Sequence, residues 1–198
     1  MSLLHLIQNA TQTLVDHVEE LTTLDQAIGD GDHGLNMKRG AQAIQAKMPS
    51  MEHSSLLDAL NIMGKTCIAM IGGSSGPVFG TLLLTLSKEL PVKPQASDFA
   101  PALRASIDAL TRLGKAEVGQ KTLLDVLDPV QKVISLGGDD LIARVRQCAH
   151  DSAAATAHMD ATRGRSSFLG DRAKGHVDPG SRSMALIIAS ICDTLEQS

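Results

Sequence analysis

An all-α fold is predicted by three observations. Apolar residues recur at helical spacing along most of the 198 residues. No stretch shows a convincing alternation of apolar and polar residues, the mark of a half-buried strand. Aromatic residues, a usual ingredient of strands, are scarce: there is no Trp, no Tyr and three Phe. Eight helical stretches can be placed, and nothing divides the chain into two compositions. The expectation is therefore one domain, residues 1–198, built as a helical bundle.

The elements follow in order. Leu3, Leu4, Ile7, Leu14, Val15, Val18 and Leu21 give a first helix ending near Thr23. A second runs from Leu35 to Met48, where Pro49 is expected to stop it. A third covers Ser55 to Met70 and ends at Gly72–Gly73. Pro77 suits the first turn of a fourth that reaches Leu90. After the linker Pro91–Ser97, Ser97 is expected to cap a fifth helix reaching Leu113, with Pro101 in its first turn. A sixth starts near Thr122 and ends at Gly137–Gly138. A seventh, alanine-rich, opens at Asp139 and reaches about Met159. A long polar connection, Thr162–Ser183, leads to the eighth, Met184–Leu195. Connections of that length in a bundle are often functional.

Composition excludes several classes. Hydrophobic content of 43% with 20% charged residues fits a globular chain. A net charge of −4 gives no general reason to bind nucleic acid or an anionic membrane. Three dispersed cysteines, Cys67, Cys148 and Cys192, with no C-x-x-C, read as buried thiols in a reducing compartment. Met1–Ala10 lacks a basic leader region, and no apolar run is long enough to span a bilayer. The expectation is a cytoplasmic protein.

Three segments carry chemistry. In "DQAIGDGDHGLNMKRG" (Asp25–Gly40), Asp25, Asp30 and Asp32 form D-x4-D-x-D. Carboxylate oxygens are hard ligands suited to Mg²⁺ or Ca²⁺, and three so close repel one another without a cation. The glycines let the backbone fold tightly enough to converge them. An EF-hand is excluded, since Leu35 stands where its glycine belongs and Ala41 where its last acid belongs. The loop is either a cation site or a capped, solvated turn. "GGSSGPVFGT" (Gly72–Thr81) is either a phosphate cradle at a helix start or a plain helix junction. Arg163, Arg165, Arg172, Lys174 and Arg182 concentrate positive charge in the long connection, where Arg can grip phosphate with two donors. Asp178–Gly180 reads there as a tight turn. "GKT" at Gly64–Thr66 is set aside as a phosphate loop, because Ala59 replaces the first glycine and the stretch is mid-helix. "GQKT" (Gly119–Thr122) is another glycine-led helix start, with a lysine beside it. Together these parts suggest a Mg²⁺-nucleotide site at one rim of the bundle.

Four ordered stretches carry a more specific signal: Leu24–Gly40, Gly72–Thr81, "GKAEVGQKTLLD" (Gly114–Asp125) and "GRSSFLGDRAKGHVDPGSRS" (Gly164–Ser183). In them the chain resembles the L-subunit (DhaL) family of dihydroxyacetone kinases, over nearly its whole length. The resemblance implies an eight-helix antiparallel barrel with the nucleotide at one end. It implies two Mg²⁺ ions on Asp25, Asp30 and Asp32. It assigns nucleotide contacts to His33, Gly34, Leu35, Asn36, Ser74, Ser75, Gly114, Leu123, Arg165, Asp178, Pro179 and Gly180. No residue here is assigned covalent catalysis, because in the family a K-subunit histidine holds dihydroxyacetone. The chain lacks the fused K domain of the ATP-dependent kinases, so the phosphotransferase-system version is implied. There bound ADP is phosphorylated by an M subunit, and the ATP formed serves dihydroxyacetone on a K subunit. An ATP-dependent kinase subunit for another substrate, and a regulator reporting to a transcription factor, are the alternatives. Gln120, Leu123 and Phe168 depart from the commoner family residues, all near the expected adenine pocket.

Overall fold

The computed structural model describes residues 2–163 and 173–197. Among them there are nine α-helices and no strand: α1 Leu3–Asp16, α2 Val18–Ile28, α3 His33–Met51, α4 Leu56–Met70, α5 Ser75–Glu89, α6 Ala96–Gly114, α7 Leu124–Leu136, α8 Leu141–Ala155 and α9 Pro179–Glu196. A short 3₁₀ turn, Thr156–His158, follows α8.

The helices form a ring. From α3 to α9 each packs on the next, and α9 and α3 both pack on α1, which closes the circle. Helices α1 and α2 together make one broken stave, so the ring has eight staves, as the sequence suggests. The break is at His17, whose backbone (φ −103, ψ 19) leaves the helix. Its ring Nδ1 donates to the Thr13 carbonyl at 2.8 Å, satisfying a carbonyl at the end of α1. Helix α2 then lies close to the start of α3. A Cβ on Gly34 would overlap the Val18 carbonyl oxygen and the Thr22 side chain.

Several boundaries differ from expectation for local reasons. Helix α3 runs through Pro49 to Met51, because a proline in the last turn removes only one backbone donor. Helix α6 is capped by a reciprocal box, with the Gln95 side chain and Asp98 each taking the other's backbone N–H, and not by Ser97. Helix α9 begins at Pro179, five residues before Met184, because Asp178 caps it. The interior is filled by Leu, Ile, Met and Val from all staves, among them Leu21, Met37, Ile107, Leu124, Val126 and Met184. Each such side chain contributes about 1.5–3 kcal/mol by leaving water. Gly64 and Gly80 face each other's helix, which lets α4 and α5 approach closely. "GKT" is thus part of a helix-packing surface. Among the described residues, no helix is long and apolar enough to cross a membrane.

Candidate nucleotide and metal site

Every second connection of the ring meets at one end. The α2–α3, α4–α5, α6–α7 and α8–α9 connections line a cleft of about 300 Å³. The Pro91–Ser97 linker belongs to the alternate set of connections.

The first connection brings the acids together. One carboxylate oxygen each from Asp25, Asp30 and Asp32 lies within 4.8 Å of the other two. Asp25 sits in the last turn of α2 and is 4% exposed, while Asp30 lies in the open. The Asp25 Oδ2 accepts the backbone N–H of His33 at 3.0 Å, which pins it to the start of α3. Gly29 has no Cβ to collide with the Asp25 carboxylate, and Gly31 takes a left-handed φ of 76°. An all-oxygen, triply anionic donor set of this size fits a hard divalent cation.

The second connection ends in the N-terminus of α5, with Ser74 and Ser75 at its start. Backbone N–H groups there are free of helical partners and favour anions. Ser75 Oγ lies 3.2 Å from His33 Nδ1, and His33 Nε2 lies 2.7 Å from Ser183 Oγ on α9. The imidazole thus bridges α3, α5 and α9.

The third and fourth connections are bound to each other. Lys121 has a left-handed backbone (φ 60) and is 1% exposed. Its Nζ donates to the Thr156 carbonyl at 2.8 Å. The Thr156 hydroxyl accepts the Asp178 N–H at 2.9 Å. Asp178 accepts the Ser181 N–H at 2.7 Å, and the Ser181 hydroxyl donates to the Thr122 carbonyl at 2.9 Å. Asp125 holds the loop from below by accepting from Thr122 N at 2.7 Å and from Gly119 N. Asp178 keeps some solvent at its edge, yet the protein packed around it pushes its pKa up to about 6. Asp125 adds to that rise, and the Ser181 N–H hydrogen bond and Lys121 oppose it. Burial lowers the Lys121 pKa, against the pull of Asp178 and Asp160.

The rest of the cleft is apolar, with Val78, Phe79, Leu110, Ala116, Leu123 and Leu124. A polar rim of acids and helix N-termini beside an apolar floor suits a phosphate-bearing ligand with a flat base.

The residues expected from sequence do not all share one placement. Asp25, Asp32, His33, Ser74, Ser75, Gly114, Leu123, Asp178, Pro179 and Gly180 line the cleft. Asp30 reaches the acid cluster from the surface. Gly34 is turned to α2, Leu35 is 55% exposed, and Asn36 is buried with its amide against Gly72. Arg165, Arg172 and Phe168 lie outside the described residues. Arg182 donates to Glu20 of α2 at 2.6 Å, and Lys174 pairs with Asp160 at 3.0 Å, so these two cations are engaged within the chain. Asp178–Gly180 is a helix cap and first turn where the sequence suggested a free tight turn. Sequence reasoning did not single out Asp125, Thr156, Ser181 or Ser183, and gave the lysine of "GQKT" no role.

The DAK2 domain family model matches residues 27–193. "PEP-dependent dihydroxyacetone kinase 1, ADP-binding subunit DhaL" of Listeria innocua is 38% identical over 175 residues, covering 88% of this chain and 86% of that protein. The corresponding Escherichia coli ADP-binding subunit DhaL is 33% identical, covering 86% and 85%. The dihydroxyacetone kinase from C. freundii, solved in complex with AMP-PNP and Mg²⁺, superimposes with a TM-score of 0.77 at 21% identity. That match covers 96% of this chain and 33% of the larger one, and it shows a shared fold. With a family model spanning most of its length and relatives matched nearly end to end, the chain belongs to the DAK2 domain family.

Proposed function

We propose that this chain is the ADP-carrying subunit of a phosphoenolpyruvate-dependent dihydroxyacetone kinase. The observation that carries the reading is the convergence of three carboxylates, two helix N-termini and an apolar floor on one cleft. The names of the relatives, matched over most of both chains, point the same way.

Asp25, Asp30 and Asp32 would hold two Mg²⁺ ions. His33 to Asn36, Ser74, Ser75, Gly114, Leu123, Arg165 and Asp178 to Gly180 would hold the nucleotide, with Gly34 and Asn36 setting the shape of the wall. The metal ions, when bound, supply positive charge to phosphate oxygens as charge shifts during transfer. The chain's own residues supply orientation. The N-terminus of α5 offers backbone N–H donors to phosphate. Helix α9 adds the Gly180 N–H, because Pro179 has none and Asp178 takes that of Ser181. The ring of bonds through Lys121, Thr156 and Asp178 keeps the α9 wall in place. An M subunit of the phosphotransferase system would phosphorylate the held ADP. A K subunit would present dihydroxyacetone to the ATP formed. The whole chain, residues 1–198, would act as one cytoplasmic unit.

The test uses purified protein. The chain has no Trp or Tyr, so a strong ultraviolet band in a pure sample reports bound nucleotide. Denaturation should release ADP in near-stoichiometric amount. Adding phosphoenolpyruvate, the phosphotransferase components and a K subunit should yield dihydroxyacetone phosphate without free ATP. Active protein that releases no ADP, or that turns over only with added ATP, would defeat the reading in favour of an ordinary ATP-dependent kinase subunit.

A further inference from the structure

We propose that Arg182 and Glu20 are a pair of positioning residues that tie the first turn of α9 to α2, and so hold two walls of the cleft together from outside. The tie itself rests on geometry, and only its consequence for nucleotide retention rests on the function proposed above.

The sequence placed Arg182 among the arginines suited to gripping phosphate, and the structure turns it elsewhere. Its Nε donates to Glu20 Oε1 at 2.6 Å. Glu20 belongs to α2, the helix whose last turn carries Asp25 of the acid cluster. Arg182 is in the first turn of α9, whose start supplies Asp178, Pro179 and Gly180 to the cleft. Glu20 and Asp25 lie about 7.5 Å apart along one continuous helix. The pair therefore limits how far the start of α9 can stand from Asp25.

Three successive side chains anchor that turn. They leave the helix about 100° apart, so they reach different neighbours. Ser181 Oγ donates to the Thr122 carbonyl ahead of α7, Arg182 reaches Glu20 on α2, and Ser183 Oγ lies 2.7 Å from His33 Nε2 at the start of α3. Ser181 and Ser183 are fully buried, so dissolved salt does not reach their contacts. The Arg182 and Glu20 side chains are 26% and 38% exposed. Of the three ties, this one is open to solvent, and it is the one that salt weakens. A pair so exposed contributes little to global stability, so its effect belongs to local opening of α9 and not to the melting of the whole chain. The other Glu20 oxygen lies 4.0 Å from His17 Nε2, so a change at Glu20 alone disturbs two neighbours. A double variant is needed to isolate the pair.

The test compares Arg182→Met, which keeps the aliphatic stem, with Glu20→Gln, their double variant and Arg182→Lys. The first readout is hydrogen exchange in protein stripped of nucleotide and metal. Relative to α5, exchange over residues 180–186 should quicken roughly two- to fivefold in Arg182→Met, the size of one half-exposed ion pair. The double variant should be no faster than the faster single variant, and Arg182→Lys should recover most of the loss. Raising salt should quicken exchange there in the native protein and leave the double variant level. The second readout is release of labelled ADP, loaded with Mg²⁺, into an excess of unlabelled ADP. It should quicken by a similar factor in both single variants. Native exchange indifferent to salt, or a double variant whose effect is the product of the singles, overturns the proposal. So does unchanged release from a chain that holds ADP. Slower release from Glu20→Gln overturns it too, since Arg182 would then be a phosphate grip that Glu20 restrains. If exchange behaves as expected and the chain holds no ADP, the tie stands and the function above falls.

Discussion

Two aspartates two staves apart in the same ring behave in opposite ways. Asp128 of α7 is 6% exposed and clasped by Arg104 and Lys132, each at 2.7 Å. Burial works to raise its pKa, but the hydrogen bonds and charges of Lys132 and Arg104 outweigh it and hold the carboxyl below the usual range. Asp178 at the cleft takes a backbone hydrogen bond from Ser181, and burial wins, pushing its pKa up to about 6. Asp25 and Asp125 likewise rest on backbone N–H groups. A carboxylate whose work is structural is neutralised by cations from neighbouring helix turns. Asp25, Asp125 and Asp178 are oriented by backbone dipoles, which aim them without cancelling their charge. That leaves charge available for a ligand.

The contrast can be broken most sharply at the acid cluster. Asp30→Ala should lower phosphoryl transfer by at least about a hundredfold, by removing one oxygen ligand from the proposed cation site. The melting temperature of the metal-free protein should change little, because Asp30 is exposed and an exposed charge contributes little to stability. Coupled assay and thermal melting check the two halves. Asp128→Ala should do the reverse. It strands Arg104 and Lys132 at a site open enough for both to reach water, so the cost is about 1–2 kcal/mol, a few degrees of melting temperature. ADP content after purification should be unchanged.

A smaller effect separates the two aspartates by pH. Between 3.8 and about 6, the folded chain keeps a proton at Asp178 that the unfolded chain has released. Its contribution to stability is therefore greatest at low pH and is lost as pH rises through about 6. Asp178→Asn, which still caps α9, should flatten that part of the profile and raise stability near neutrality. Asp128 works with the opposite sign. Its stabilisation is present above the unfolded value of 3.8 and is lost as pH falls through its lower folded value. Denaturant melts across pH distinguish the two. The smallest change is expected in Lys121→Met. It removes the cation that opposes the rise at Asp178 and leaves Asp125 in place, so the upper edge of the window should move to higher pH. An unmoved edge would mean that the Lys121 charge does not reach Asp178.

The helices were legible wherever periodicity and a breaker agreed, as for α4 between its Ser55 cap and Gly72. They were misjudged where a side chain overrode local pattern. No proline or glycine marks the break at His17, which depends on an imidazole finding a carbonyl four residues back. Pro49 looked like a stop, yet it falls where the helix is ending anyway. At the site, the D-x4-D-x-D spacing identified the acids because all of them come from one short stretch. Lys121, Thr156 and Ser183 were not legible as site residues. Each acts through a partner 35 or 150 positions away, as Lys121 does with Thr156 and Ser183 with His33, and single-chain spacing carries no record of such distances. Asp178 was noticed for the wrong local structure, since a turn signal and a helix cap share the same residues.

Helix α9 closes the ring against α1 and also carries Asp178, Ser181 and Ser183. On a ribosome, the acid cluster and the serines of α5 emerge long before it. They can adopt local structure early, but the cleft has no fourth wall until the last stave docks. Competence to hold a ligand is thus deferred until α9 has emerged and docked. A nascent or truncated chain would present its acids without a pocket behind them. Ligand binding, in turn, would act as a lock on a finished barrel, stabilising most strongly the one helix whose departure would open it.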